Sequence, residues 1–133
     1  MKHIILIPLV MLSFCSPSYG QEANHPGISF DTLSYDFGLL KKGSDAVCHF
    51  SFVNRDEAPV IITNVKTSCG CAVPEWPREP YLPGTSGSIT VEYNTRIIGT
   101  FQKTISVYTN RNAQAVELTI KGAVQKKSAA KNR

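Results

Sequence analysis

The sequence predicts an all-β fold: an antiparallel β-sandwich of about seven short strands with Greek-key connections. Three observations carry that expectation. Apolar residues recur with period two, as on a half-buried strand, rather than with the 3.6 of a helix. Clusters of Gly, Pro, Asn and Asp interrupt the alternation at near-regular spacing. No stretch has helical period, and the short connections leave no room for the βαβ crossovers that a parallel sheet requires. A closed barrel is the alternative architecture, because alternation alone does not separate two packed sheets from one closed sheet.

In chain order, Ile28, Phe30 and Thr32 share one face of a first strand. A second strand from Ala46 to Asn54 turns Cys48, Phe50 and Phe52 inward and Val47, His49, Ser51 and Val53 outward. Asp56-Glu57-Ala58-Pro59 is a turn. The β-branched run Val60 to Val65 reads as a strand buried on both faces, leading into Thr67-Ser68-Cys69-Gly70-Cys71. Ala72 to Pro83 contains Pro74, Pro77, Pro80 and Pro83. Proline donates nothing to a ladder, so this is an edge segment or an ordered loop. After a turn at Pro83-Gly84 and Gly87, Ile89, Val91 and Tyr93 alternate with Ser88, Thr90 and Glu92. Beyond a loop through Gly99, Phe101, Lys103, Ile105 and Val107 oppose Gln102, Thr104, Ser106 and Tyr108. Asn110-Arg111-Asn112 is a hairpin tip, and Val116, Leu118 and Ile120 form a last strand ending at Gly122.

The chain has 133 residues, 42% hydrophobic and 18% charged, which suits one globular domain and excludes disorder or a coiled coil. Residues 1–20 read as a secretory signal peptide: Met1-Lys2-His3 is a basic start, Ile4 to Phe14 is largely apolar, and Ser18-Tyr19-Gly20 offers small residues at the cut. The apolar run is shorter than the roughly 20 residues of a membrane span. The alternative, lipid attachment at Cys15 after Leu12-Ser13-Phe14, would tether the domain to a membrane, but Phe14 is larger than lipoprotein processing favours. Residues 21–124 are the sandwich domain, and residues 125–133 are a basic solvated tail. The net charge of +4 resides at the ends, since residues 21–124 hold nine Lys and Arg against ten Asp and Glu. A nucleic-acid partner loses its main support on that count. The expected location is therefore periplasmic or extracellular, with outer-membrane association if Cys15 is lipidated.

Several blocks together resemble the domain of unknown function 1573 family: Asp36-Phe37-Gly38, Phe50-Ser51-Phe52-Val53-Asn54, Pro59-Val60-Ile61-Ile62, Ser68-Cys69-Gly70-Cys71, Pro74-Glu75-Trp76-Pro77, and Pro83-Gly84 with Gly87. The resemblance spans about Ile28 to Val124. It implies an immunoglobulin-like sandwich akin to the ASH and Hydin modules, and with it a binding or scaffolding role for a secreted or envelope-associated bacterial protein. Cys48 is not part of that pattern.

Cys69-Gly70-Cys71 is the one motif that looks like chemistry. In extended backbone the two Cα atoms would lie about 7 Å apart, so a disulfide needs a tight turn, which Gly70 permits through positive φ. Cys69 and Cys71 are then thiol–disulfide candidates, a structural pair at a strand end, or one of them is bridged to Cys48 across the sandwich. Two soft thiolates at this spacing also suit Cu(I), with His49 or His25 as candidate zinc ligands, although His49 is predicted on the face opposite Cys48. No metal or cofactor is expected. Hydrolysis is not supported: Gly84-Thr85-Ser86-Gly87 lacks the nucleophile-elbow spacing, and the carboxylates are scattered singly, with Glu75 and Glu79 read as loop charges. Trp76 either caps the core or, with Tyr81 and Leu82, forms an apolar docking patch on a proline-stiffened loop. The preferred reading is a non-catalytic interaction module that binds envelope proteins through this loop or by strand addition at an open sheet edge.

Overall fold

The computed structural model describes residues 27–127. The expected signal peptide with Cys15, His25, and all but the first three residues of the expected basic tail lie outside that range.

Among the described residues eight strands, not seven, form two four-stranded sheets. They are β1 (Ile28–Phe30), β2 (Ser34–Lys41), β3 (Val47–Asn54), β4 (Ile62–Thr67), β5 (Ala72–Glu75), β6 (Ser86–Tyr93), β7 (Gly99–Thr109) and β8 (Asn112–Gln125). One sheet has the order β1-β3-β6-β5 and the other β2-β8-β7-β4. The all-β sandwich expectation holds.

Alternation built the central strands as the sequence predicts. Cys48, Phe50 and Phe52 on β3 and Ile89, Val91 and Tyr93 on β6 are all buried, and Phe101, Ile105, Val107, Leu118 and Ile120 meet them from the other sheet. Each fully buried side chain of this size contributes about 1.5–3 kcal/mol. Tyr93 and Phe101 stack at 3.7 Å between ring centroids and join the two layers. The hairpin tip is confirmed, with Thr109 paired to Asn112.

The strand absent from the sequence reading is β2. It pairs with β8 in parallel, from Ser34 opposite Thr119 to Lys41 opposite Gln125, so the sandwich is not wholly antiparallel. Short connections do not forbid this parallel pair, because everything between β2 and β8 serves as the connection, far more than the dozen residues such a pair needs. A bulge between Asp36 and Leu39 disguised the strand. Gly38 adopts φ 65°, and its N–H donates to Asp36 Oδ1 at 2.8 Å. The extra residue shifts parity, so Phe37 and Leu40 pack on the core while Leu39 is 67% exposed.

Two further expectations are corrected. Val60 to Val65 is not buried on both faces: Val60, Ile62 and Val65 are buried, but Thr63 and Asn64 are exposed at a bulge in an edge strand. β8 runs past Gly122 to Gln125, with Val124 buried, because β2 and Gly99 of β7 both pair beyond that glycine.

Candidate functional site

Two margins of the sandwich differ in chemistry. On one side the chain crosses between sheets from β4 to β5 through Ser68-Cys69-Gly70-Cys71. Cys69 and Cys71 are joined by a disulfide, with Cα atoms 5.3 Å apart, so the turn is tighter than extended backbone. Gly70 achieves this without positive φ, contrary to expectation, and a Cβ there would meet nothing within 4 Å. The turn is pinned at each end by hydrogen bonds. Ser68 N–H donates to the Thr104 carbonyl at 3.0 Å, Thr67 Oγ1 donates to the Cys69 carbonyl at 2.7 Å, and Asn94 N–H donates to the Cys71 carbonyl at 2.8 Å. Cys71 N–H points at Cys69 Sγ, 3.3 Å away.

Cys48 is not bridged to either of them. It is 2% exposed on the inner face of β3, and desolvation pushes its thiol up to about 11. Such a thiol is inert at neutral pH. His49 points outward, where its Nδ1 meets Thr90 Oγ1 at 2.9 Å. Among the described residues no three His, Cys, Asp or Glu side chains gather.

A ring closed over three residues constrains little chain. The loop-entropy relation gives it about 1.6 kcal/mol, against about 3 kcal/mol for a fifteen-residue loop. As a staple it adds little to a corner already held by backbone bonds.

The proline-rich segment does not assemble the patch that Trp76, Tyr81 and Leu82 suggested. Trp76 packs against the core, with the Arg78 guanidinium 4.0 Å above its ring and its Nε1 buried without a partner. Tyr81 is bridged to Val60 through reciprocal backbone bonds, and its ring lies 4.8 Å from Phe52, over Gly87. A Cβ on Gly87 would fall 2.6 Å from Tyr81 Cζ, which is why this strand carries glycine there. Of the three residues only Leu82 is exposed, at 59%. Glu75 ends β5, and Glu79 is exposed.

The opposite margin holds an open edge that sequence reasoning could not locate. Hydrogen bonds from Asp31 N–H to the Ser51 carbonyl and from Arg55 N–H to the Gly27 carbonyl aim the odd-numbered backbone groups of β3 toward β1. Asn54 N–H donating to Thr85, and Tyr93 N–H to Ala46, aim the even ones toward β6. However, β1 covers only Phe52 to Asn54 before the chain leaves for the other sheet. The N–H and C=O groups of Val47 and His49 therefore face an edge with no partner strand among the described residues. Val47 is 45% exposed.

The other long edges are blunted. By the same alternation, the Cys71–Asn94 bond places Val73 and Glu75 toward β6 and turns Pro74, which has no N–H, to the free edge of β5. β4 is bulged and carries exposed Lys66, and β2 is bulged at Gly38. Over that bulge an open groove of about 420 Å³ is rimmed by Asp36, Lys121 and Gln102.

The architecture defines a class: an immunoglobulin-like β-sandwich. Within it, the chain belongs to the family described as "Protein of unknown function (DUF1573)", whose model matches residues 28–124. Solved structures agree on the fold. A protein of unknown function from Porphyromonas gingivalis W83 superimposes with TM-score 0.65 at 16% identity, over 73% of this chain and 46% of that one, so the chain spans under half of that relative. The ASH / PapD-like domain of human CEP192 (PapD-like domain 7) matches with TM-score 0.67 at 9% identity, covering 96% of this chain and all of that domain. The secreted serine protease VesC from Vibrio cholerae matches with TM-score 0.57 at 14% identity, over 74% of this chain but 23% of the protease. At these identities the likeness is one of fold and carries no chemistry. No curated protein matches the chain.

Proposed function

We propose that this chain is an exported, non-catalytic binding module of the bacterial cell envelope that holds protein partners by taking an extended segment along the open half of β3. The observation that carries the reading is that, among the described residues, the edge-facing backbone groups of Val47 and His49 have no partner strand, while the other long edges are blunted. An incoming strand would run antiparallel to β3 and continue the line that β1 abandons at Phe30. Its relation in fold to an ASH / PapD-like domain supports a binding role, and the signal-peptide pattern of residues 1–20 supports export.

Magnitudes indicate what such a partner must supply. The backbone groups of Val47 and His49 are worth about 1 kcal/mol net each when paired. Association costs about 4–15 kcal/mol, so pairing alone does not hold a ligand. Apolar side chains must add to it, and exposed Val47 on β3 and 39%-exposed Tyr35 on the margin strand β2 are placed to receive them.

The test is site-specific photo-crosslinking in envelope preparations. A photoreactive residue at position 47 should crosslink to protein, and one at exposed Glu117 on the far strand β8 should not. His49→Pro deletes an edge-facing N–H without touching the β6 ladder, and should reduce the crosslink at least tenfold. Equal crosslinking at both positions, or an unaffected yield in a folded His49→Pro protein, would refute edge capture.

A further inference from the structure

We propose that Cys69 and Cys71 form a redox-active site that exchanges its disulfide with a protein dithiol, independently of the β3 edge on the opposite margin. Three observations carry the proposal. The ring spans two positions of sequence and so serves poorly as a staple. Its flanks are tied to β7 and to the end of β6 through Thr104 and Asn94, so the two sulfurs stay together when the bond opens. Cys71 N–H is aimed at Cys69 Sγ, which favours a thiolate on Cys69 over one on Cys71.

The step balances without an external oxidant. Both cysteines are half-buried, but Cys71 packs against the core, so the attack is assigned to Cys69. A thiolate of the partner attacks Cys69 Sγ; a new S–S bond forms, the Cys69–Cys71 bond breaks, and its electron pair departs on Cys71, which takes a proton from water. The partner's second thiolate then attacks the partner sulfur of the mixed disulfide. That closes a disulfide in the partner and releases Cys69 as a thiolate held by the Cys71 N–H. Two electrons pass from the partner dithiol to the cysteine pair; of the two protons lost by the partner thiols to water, one is matched by the proton taken up at Cys71 and the other stays in solvent, balancing the negative charge on the Cys69 thiolate. The reverse sequence reduces a partner disulfide. Cys48 takes no part, because it is buried in the core with its thiol protonated.

Titration of the folded wild-type protein with glutathione buffers, followed by alkylation and mass measurement, tests the exchange directly. Two thiols should become alkylated together as the ratio of reduced to oxidised glutathione rises, while Cys48 stays protected. A disulfide that remains closed at every glutathione ratio, and opens only when the protein unfolds, would overturn the proposal. Single variants read the polarity. At neutral pH, Cys69 in Cys71→Ser should alkylate at least tenfold faster than Cys71 in Cys69→Ser, since only the first keeps the N–H contact. Equal rates in two folded variants would remove the assigned roles.

Discussion

Single residues explain why several blocks of this sequence are what they are. Asn54, 1% exposed, donates from Nδ2 to the carbonyls of Ala58 at 2.9 Å and Tyr81 at 2.8 Å, and accepts from Asp56 N–H at 2.8 Å. It joins the turn after β3 to the start of the β6 approach, and no apolar side chain replaces those bonds. Asn54→Ala leaves the Ala58 carbonyl and the Asp56 N–H without partners, while the Tyr81 carbonyl keeps the Val60 N–H, at a cost of about 1–3 kcal/mol for each orphaned group, before relaxation and water entry recover part. We expect a loss of at least about 2 kcal/mol in chemical denaturation, with unchanged m-value. In the sequence Asn54 was legible as the end of a strand but not as a buried hub, since its partners lie as far as 27 residues away.

At the scale of elements, legibility followed regularity. β3, β6 and β7 were readable because Cys48, Phe50 and Phe52, or Ile89, Val91 and Tyr93, keep strict parity. β2 was not, because one glycine moves Phe37 and Leu40 out of step. That glycine gives a sharp contrast with the one between the cysteines. Gly38→Ala forces a Cβ into positive φ and should destabilise by about 1–2 kcal/mol. Gly70→Ala meets open space at ordinary φ and should change the thermal midpoint by under about 2 °C. The open half of β3 was illegible for a different reason: a missing neighbour is a property of topology, and no local pattern encodes where β1 stops pairing. The disulfide corner was legible as a motif, while the turn geometry assigned to Gly70 was not.

For the whole molecule, the titrating groups in the core share one sign. Burial raises the Cys48 thiol from 9.0 to about 11, and also raises Tyr81 and Tyr93 above their ordinary range. A group whose folded value exceeds its unfolded one stabilises fully below the unfolded value and loses that contribution as pH climbs through the folded value. Stability should therefore decline from about pH 9 upward, with Cys48 accounting for about 2–3 kcal/mol by pH 11. Denaturant melts between neutral pH and about pH 10.5 check this, and Cys48→Val should flatten the slope. An identical slope in that variant would assign the alkaline loss to Tyr81 and Tyr93. The acid side depends in part on Asp56, which the Arg111 guanidinium at 2.7 Å holds below its ordinary pKa; that contribution is present above the ordinary carboxylate range and is lost as pH falls through the lowered value.

The parallel pairing of β2 with β8 also sets a timetable. A ribosome releases β2 well before β8, the last of the described strands, so the second sheet lacks its β2–β8 seam until Gln125 has emerged. Closing that seam brings together segments from near the two ends of the described chain, the longest-range strand pairing in it and an entropically slow one. The sandwich is therefore completed only once β8 is free to pair, and the nascent chain stays pliable for as long as that strand is withheld.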